Sequence, residues 1–153
     1  MVNARKAQHS DSKIIYEWRN DELTRKMSHK TDPIEWERHR KWFTSSLTNP
    51  NRLLLICEAK SSNESIAVVC FDIETDRGLV SINLSPLIRG EGMGSLCLTS
   101  AIHHFSNTYP KVTMLDAEIK SVNTASQRAF ERVGFLKVKR DKYVMHYEFS
   151  LVS

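Results

Sequence analysis

Cysteine is nearly absent. Cys57, Cys70 and Cys97 are three in 153 residues, odd in number and without C-x-x-C spacing, which excludes a disulfide framework and a paired-cysteine metal site. Each stands in an apolar run such as Leu53-Leu54-Leu55-Ile56-Cys57 or Val68-Val69-Cys70-Phe71, so all three read as small core residues in a reducing compartment. No apolar stretch reaches the roughly eighteen residues of a membrane span, and the opening residues Met1 to Lys6 lack the apolar segment of a secretory signal. A cytoplasmic protein without a membrane partner is expected. Basic runs interleaved with aromatics are missing too: 22 Lys and Arg against 18 Asp and Glu give a net charge of +4 spread along the length. That argues against nucleic acid and fits either a polyphosphate-bearing ligand or simple solubility. The six histidines, His9, His29, His39, His103, His104 and His146, show no H-E-x-x-H or paired Cys/His spacing, so no metal is expected. No repeat or low-complexity tract interrupts the chain, and its length leaves room for one domain, 1–153, and no separate substrate domain.

What is present is an ordinary globular composition, 41% hydrophobic and 26% charged, arranged as a mixed α/β pattern. A short strand near Asn3 to Gln8 precedes a helix capped by Ser10 or Asp11, with Ile14, Ile15 and Trp18 at helical spacing, broken at Asn20-Asp21. Asp32-Pro33-Ile34-Glu35 carries three helix-start signals and predicts a helix presenting Trp36, His39, Phe43 and Leu47 on one buried stripe, ending before Asn49-Pro50. Arg52 to Ser85 reads as three antiparallel strands, Leu53 to Ala59, Ser65 to Glu74 and Leu79 to Leu84. A helix with the apolar face Leu98, Ala101, Ile102 and Phe105 follows. Then come a strand over Val112 to Ile119, a helix over Asn123 to Val133, and closing strands over Phe135 to Lys139 and Tyr143 to Leu151. An exposed edge on that last strand would invite a homodimer.

The segment Arg89-Gly90-Glu91-Gly92-Met93-Gly94 sits between a strand and a helix. Glycines at alternate positions let backbone approach a phosphate, and the helix start aims free N–H groups at the anion, although such a turn can also be tight geometry alone. A Walker loop would need Lys-Ser/Thr where Ser95-Leu96 stands, and the dinucleotide fingerprint G-x-G-x-x-G is not matched.

This segment resembles the coenzyme signature Arg/Gln-x-x-Gly-x-Gly/Ala of the GCN5-related N-acetyltransferases (GNAT). Asn123-Thr124-Ala125-Ser126 through Gly134-Phe135 is similar to the family's second motif, in the right order and spacing. The resemblance covers nearly the whole chain. It implies a GNAT fold of α+β type, a mostly antiparallel sheet of about seven strands flanked by about four helices. The implied cosubstrate is acetyl-coenzyme A, its pyrophosphate held by backbone N–H groups of Arg89, Gly90, Gly92, Met93 and Gly94 with the Ser95 hydroxyl. Its pantetheine would pair along the backbone near Leu84 as an added strand. Asn123 and Ser126 would contact the pantetheine or phosphate side, although Asn123 can equally cap its helix, and Arg89 and Arg128 can be surface charges. Direct transfer is implied, with no covalent enzyme intermediate and no cysteine nucleophile. Glu118 stands where some bacterial relatives carry a catalytic glutamate, acting directly or through water; the alternative is a solvated or ion-paired carboxylate. Where those relatives carry a tyrosine acid this chain has Phe130, which leaves Tyr143 or Tyr147 as the acid, unless the thiolate leaves unassisted.

The N-terminal half, with Trp18-Arg19-Asn20 and Trp36 to Phe43, resembles the branch that acetylates UDP-linked 4-amino-4,6-dideoxy sugars in nonulosonate synthesis. The resemblance implies a small-molecule amine acceptor, a nucleotide sugar contacted by Trp18, Arg19, Asn20, His39 and Trp42, with Trp36 and Phe43 in the core and His39 alternatively a satisfied core histidine. Two other readings stand beside it. One is a protein N-terminal acetyltransferase using Glu17, Asp21, Asp72 or Glu74 to meet the α-ammonium. The other is a non-catalytic acyl-coenzyme A-binding module.

Overall fold

The computed structural model describes residues 1–152. Its strands are β1 (Val2–Lys6), β2 (Arg52–Ala59), β3 (Ser65–Glu74), β4 (Arg77–Leu84), β5 (Met114–Lys120), β6 (Leu136–Arg140) and β7 (Val144–Ser150). The helices are α1 (Ser12–Asn20), α2 (Glu22–Met27), α3 (Trp36–Thr48), α4 (Met93–Thr108) and α5 (Thr124–Val133). The seven strands form one sheet in the order β1-β2-β3-β4-β5-β7-β6. Every pairing is antiparallel except β4 with β5.

Side-chain alternation divides the core between the two faces. From β2, Leu53, Leu55 and Cys57 join Leu98, Ala101 and Phe105 of α4 and Phe130 of α5, while Leu54 and Ile56 meet Ile15 and Trp18 of α1 and Phe43 of α3. The unbroken run Leu53 to Cys57 is thus a strand covered on both sides, each large side chain contributing about 1.5–3 kcal/mol by leaving water. Cys57 and Cys97 are fully buried thiols, as the sequence predicts.

Four local expectations are corrected. Neither Ser10 nor Asp11 caps α1 through its side chain. The buried Asp11 carboxylate turns back to accept the Gln8 N–H at 2.7 Å and two Arg5 bonds at 2.8 and 2.9 Å. Burial alone would raise its pKa, and these donors outweigh burial and hold the carboxyl below its ordinary range. Second, α3 starts at Trp36 with Glu35 as its N-cap, so Asp32 and Pro33 lie outside it. The Asn20 side chain grips residue 34 from both sides, donating to the Ile34 carbonyl and accepting its N–H, each at 2.8 Å, and this clamp keeps the chain extended past the proline. Third, Trp36 sits in the first turn of α3, stacked on His39, and is 41% exposed while His39 and Phe43 are buried. Fourth, β7 is flanked by β5 and β6. The free edges of the sheet belong to β1 and to β6, all five of whose residues are exposed, so β7 offers no edge for a homodimer.

Candidate active site

The parallel seam between β4 and β5 is three rows long, Arg77–Leu79 against Met114–Asp116. Beyond it the strands part: β4 continues along β3 until Leu84 lies opposite Ala67, and β5 continues along β7 until Lys120 lies opposite Val144. Between them opens a wedge in which the β4 backbone from Val80 to Leu84 has an unpaired edge.

Two helix N-termini close the head of the wedge. α4 begins at Met93 behind Gly92, whose φ of +72° is a left-handed conformation suited to glycine. Gly94 is set by packing: a Cβ there would lie 3.2 Å from the Ala129 Cβ, so the start of α4 lies directly against α5. Free N–H groups of the α4 N-terminus and the positive end of its dipole therefore face the loop, with Ser95 buried beside them. α5 is capped by Asn123, whose side chain accepts the Ser126 N–H at 3.2 Å. Arg132 was not singled out from sequence, yet its Nη1 lies 3.8 Å from where a Gly92 Cβ would stand.

Arg89 is more than a surface charge. Its guanidinium donates to the Asp21 carboxylate and, at 2.9 Å, to the Thr24 hydroxyl, while Asp21 caps α2 through the Thr24 N–H. Burial opposes ionisation of Asp21, and Arg89 with Thr24 more than compensates, holding the carboxyl below its usual range. At its far end α2 reaches β5: the Lys120 ammonium donates to the Lys26 carbonyl at 3.1 Å, and His29 Nε2 lies 3.3 Å from the Glu118 carbonyl. The short polar helix thus spans the mouth of the wedge.

On the α1/α3 face lies a cavity of about 240 Å³ whose lining includes Arg19, Trp42, Arg52, Cys70, Ser81 and Asn83. The Arg19 guanidinium lies 4.2 Å from the Trp42 ring centroid, with Arg52 at 5.6 Å. Arg52 is committed to Asp72 at 2.5 Å and Ser46 at 3.1 Å. Among the described residues Arg19 has no carboxylate partner; it donates to His39 Nδ1 at 3.0 Å. Burial and the neighbouring Arg52 lower its pKa. Cys70 is on this wall rather than deep in the core, and burial, with Asp72 nearby, pushes its thiol up to about 12, so it is not a thiolate at neutral pH.

His39 does not face the cavity. It is fully buried, Nε2 donates to the Ser12 carbonyl at 2.8 Å, and Nδ1 accepts from Arg19. Burial, aided by the Arg19 charge, lowers its pKa, so it is a neutral histidine that aims Arg19. Trp18 is a core residue at 4% exposure, and Asn20 is spent on clamping Ile34. Of the five predicted acceptor contacts, Arg19 and Trp42 line the cavity.

Register places Glu118 on the same face as the cavity. Leu79 pairs with Asp116, so Ser81 and Asn83 on one bank and Glu118 on the other project to one side. Glu118 is 43% exposed. Tyr147 points to the opposite face, buried, its hydroxyl donating to Glu131 at 2.5 Å, and burial together with Glu131 raises its pKa. Its hydroxyl proton is thus committed to Glu131. Phe130 packs edge-on against Phe135 at 4.9 Å in the core. Tyr143 is 66% exposed on the rim, its carbonyl accepting the Ser121 N–H at 2.7 Å just beyond β5.

Residues 2–136 match the acetyltransferase (GNAT) domain family. Among solved structures the chain is similar to a domain from Methanocaldococcus jannaschii at 22% identity, with 99% of each chain covered and a TM-score of 0.85. It is also similar to spermidine N-acetyltransferase from Vibrio cholerae in complex with CoA and spermine, at 13% identity, 97% of this chain and 95% of that one, TM-score 0.85. A third is AAC(6')-Ib in complex with ribostamycin and coenzyme A, at 17% identity, 98% and 93% covered, TM-score 0.84. No curated protein sequence matches the chain significantly. With a seven-stranded sheet opened between β4 and β5 and a family match spanning most of its length, the chain belongs to the GNAT acetyltransferase family and is an acetyl-coenzyme A-dependent N-acetyltransferase.

Proposed function

We propose that the acceptor is the 4-amino group of a UDP-linked 4-amino-4,6-dideoxy sugar, acetylated by direct transfer. The observation that carries this is the half-buried Arg19, stacked on Trp42 and, among the described residues, lacking a carboxylate partner: a cation held ready beside an aromatic plane suits a diphosphate and a ring. Spermine and ribostamycin, bound by the structural neighbours, are polycations, and a cavity holding Arg19 and Arg52 against Asp72 alone would repel them. Of the four carboxylates that could meet a protein N-terminus, Asp21 is tied to Arg89 and Asp72 to Arg52, which leaves Glu17 and Glu74 to that reading.

In this reading the backbone N–H groups from Arg89 to Gly94 hold the coenzyme pyrophosphate with Ser95 and Arg132. The free edge of β4 up to Leu84 pairs with pantetheine, and Asn123 and Ser126 lie beside it. The thioester reaches the wedge from the α4 side and the amine from the α1/α3 side, where Glu118 takes the ammonium proton, directly or through a water, and Tyr143 is the candidate acid for the thiolate.

The test is thiol release from acetyl-coenzyme A, read with a thiol-reactive dye. A UDP-4-amino-4,6-dideoxyhexose is the acceptor, with a basic peptide and spermine as comparisons. Saturable release with the sugar alone is expected. Release only with peptide moves the acceptor to protein, and binding of acetyl-coenzyme A without release in any arm supports the non-catalytic module.

The Arg89–Asp21 clasp gives a second expectation. Asp21→Asn keeps the α2 cap and removes the ion pair, so the KM for acetyl-coenzyme A should rise about two- to five-fold with acceptor kcat little changed. Because the folded Asp21 carboxyl titrates below its unfolded value, the clasp is intact above about pH 4 and is lost as pH falls through the lowered value.

A further inference from the structure

Resting on the acetyltransferase reading with Glu118 as base, we propose that His146 is the second member of a proton relay, carrying the proton that Glu118 takes from the ammonium out to solvent. Glu118 and His146 are register partners on β5 and β7, so both project to the acceptor face, with Nδ1 of the histidine 3.9 Å from Glu118 Oε2. The other ring nitrogen, Nε2, lies 3.3 Å from Asp141 Oδ2.

Asp141 fixes the direction of the relay. Its Oδ1 accepts the N–H groups of Tyr143 and Val144 at 3.0 and 2.9 Å, which immobilises the carboxylate in the turn between β6 and β7 and leaves Oδ2 for the imidazole. Those backbone donors, with His146, hold the Asp141 carboxyl below its ordinary range. With Nε2–H donated to Asp141, the lone pair of Nδ1 faces Glu118 and can accept a proton. The histidine, 29% exposed, stands between Glu118 at 43% and Asp141 at 50%, so the line Glu118–His146–Asp141 joins the wedge to the turn between β6 and β7.

The other charged groups around the imidazole are accounted for. Lys139 is its register partner on β6, Glu148 on β7 is held by Arg77 at 2.6 Å, and His29, from beyond α2, lies against the Glu118 carbonyl.

The balance closes without a further reactant. The nitrogen of the ammonium loses two protons as its bond to the acetyl carbon forms and the carbon–sulfur bond breaks. One proton ends on the coenzyme sulfur. The other passes from Glu118 to His146 and to solvent, so one proton is released per turnover.

His146→Gln is expected to lower kcat about tenfold or more, with both KM values and the melting temperature unchanged. The loss should grow with the basicity of the acceptor amine, and added imidazole should restore part of the rate. Asp141→Asn retains the turn through Oδ1 and removes the carboxylate that holds Nε2–H, and it should lower kcat by a smaller factor than His146→Gln with both KM values unchanged. Unchanged kcat in His146→Gln, a loss that is equal for all amines and indifferent to imidazole, or a wild-type kcat in Asp141→Asn would each overturn the relay. A wild-type protein that binds acetyl-coenzyme A yet acetylates no amine would instead overturn the catalytic reading, and the relay with it.

Discussion

Glu118→Gln lowers kcat by about 10²- to 10⁴-fold at neutral pH, the range a positioned general base supplies, and leaves the KM for acetyl-coenzyme A unchanged. An acceptor amine arrives mostly as ammonium, which has no lone pair to attack the thioester, and Glu118 is the carboxylate projecting from β5 into the acceptor side of the wedge. The substitution preserves shape and removes the proton acceptor. The deficit should therefore shrink as the pH climbs through the range where the amine deprotonates by itself, because the variant then needs no base. Steady-state thiol release between pH 6 and 10 measures this, and a deficit that stays constant across that range would assign Glu118 a structural role. Its exposure and position on the open side of the sheet argue that the melting temperature will not move.

Arg19→Ala should raise the KM for the nucleotide-sugar acceptor by about 10- to 100-fold, the loss of one or two hydrogen bonds from a cation to an anion in a partly desolvated cavity. The KM for acetyl-coenzyme A should stay as it is, since the glycine loop leads into α4 on the other face of the sheet. Arg19→Lys separates charge from shape. It retains the positive charge and loses the planar face over Trp42 and the bond to His39 Nδ1, so an intermediate KM is expected. An acceptor analogue lacking the diphosphate should bind wild type and Arg19→Ala alike. If instead the KM for the full acceptor is the same in both proteins, the cavity is not where its anion binds.

Much of this architecture is legible in the order of residues, for physical reasons that differ by region. The strands between Arg52 and Leu84 are visible because Leu53 to Cys57 is buried on both faces and leaves a continuous apolar run between turn residues. The glycine loop from Arg89 to Gly94 is visible because alternating glycines between a strand pattern and a helix pattern mark a tight junction, whether or not it meets a phosphate. α2 is not visible: Glu22 to Met27 buries none of its residues, so no apolar period marks it, and it is held by Asp21 and by contacts with Arg89 and β5. The false start at Asp32-Pro33 is the opposite case, in which good local capping chemistry loses to a tertiary clamp from Asn20. His39 shows how a histidine on a helix stripe can be a core residue that positions a neighbour, buried itself and bonded to Arg19. His146 carries no motif at all; only the β5–β7 register, which sequence alone does not supply, sets it opposite Glu118.

The three-row seam between β4 and β5 also bears on how the chain folds. β2, β3 and β4 are consecutive hairpins whose contacts close over short loops, so they can form early and quickly. β5 joins them only after α4 has crossed over, and then through three rows, so its docking draws on the burial of Leu115, Ala117 and Ile119 beneath α4 and α5 rather than on backbone pairing with β4. That long-range contact is therefore carried by apolar side chains. The backbone edge left unsatisfied by that step is the one that the native state keeps available.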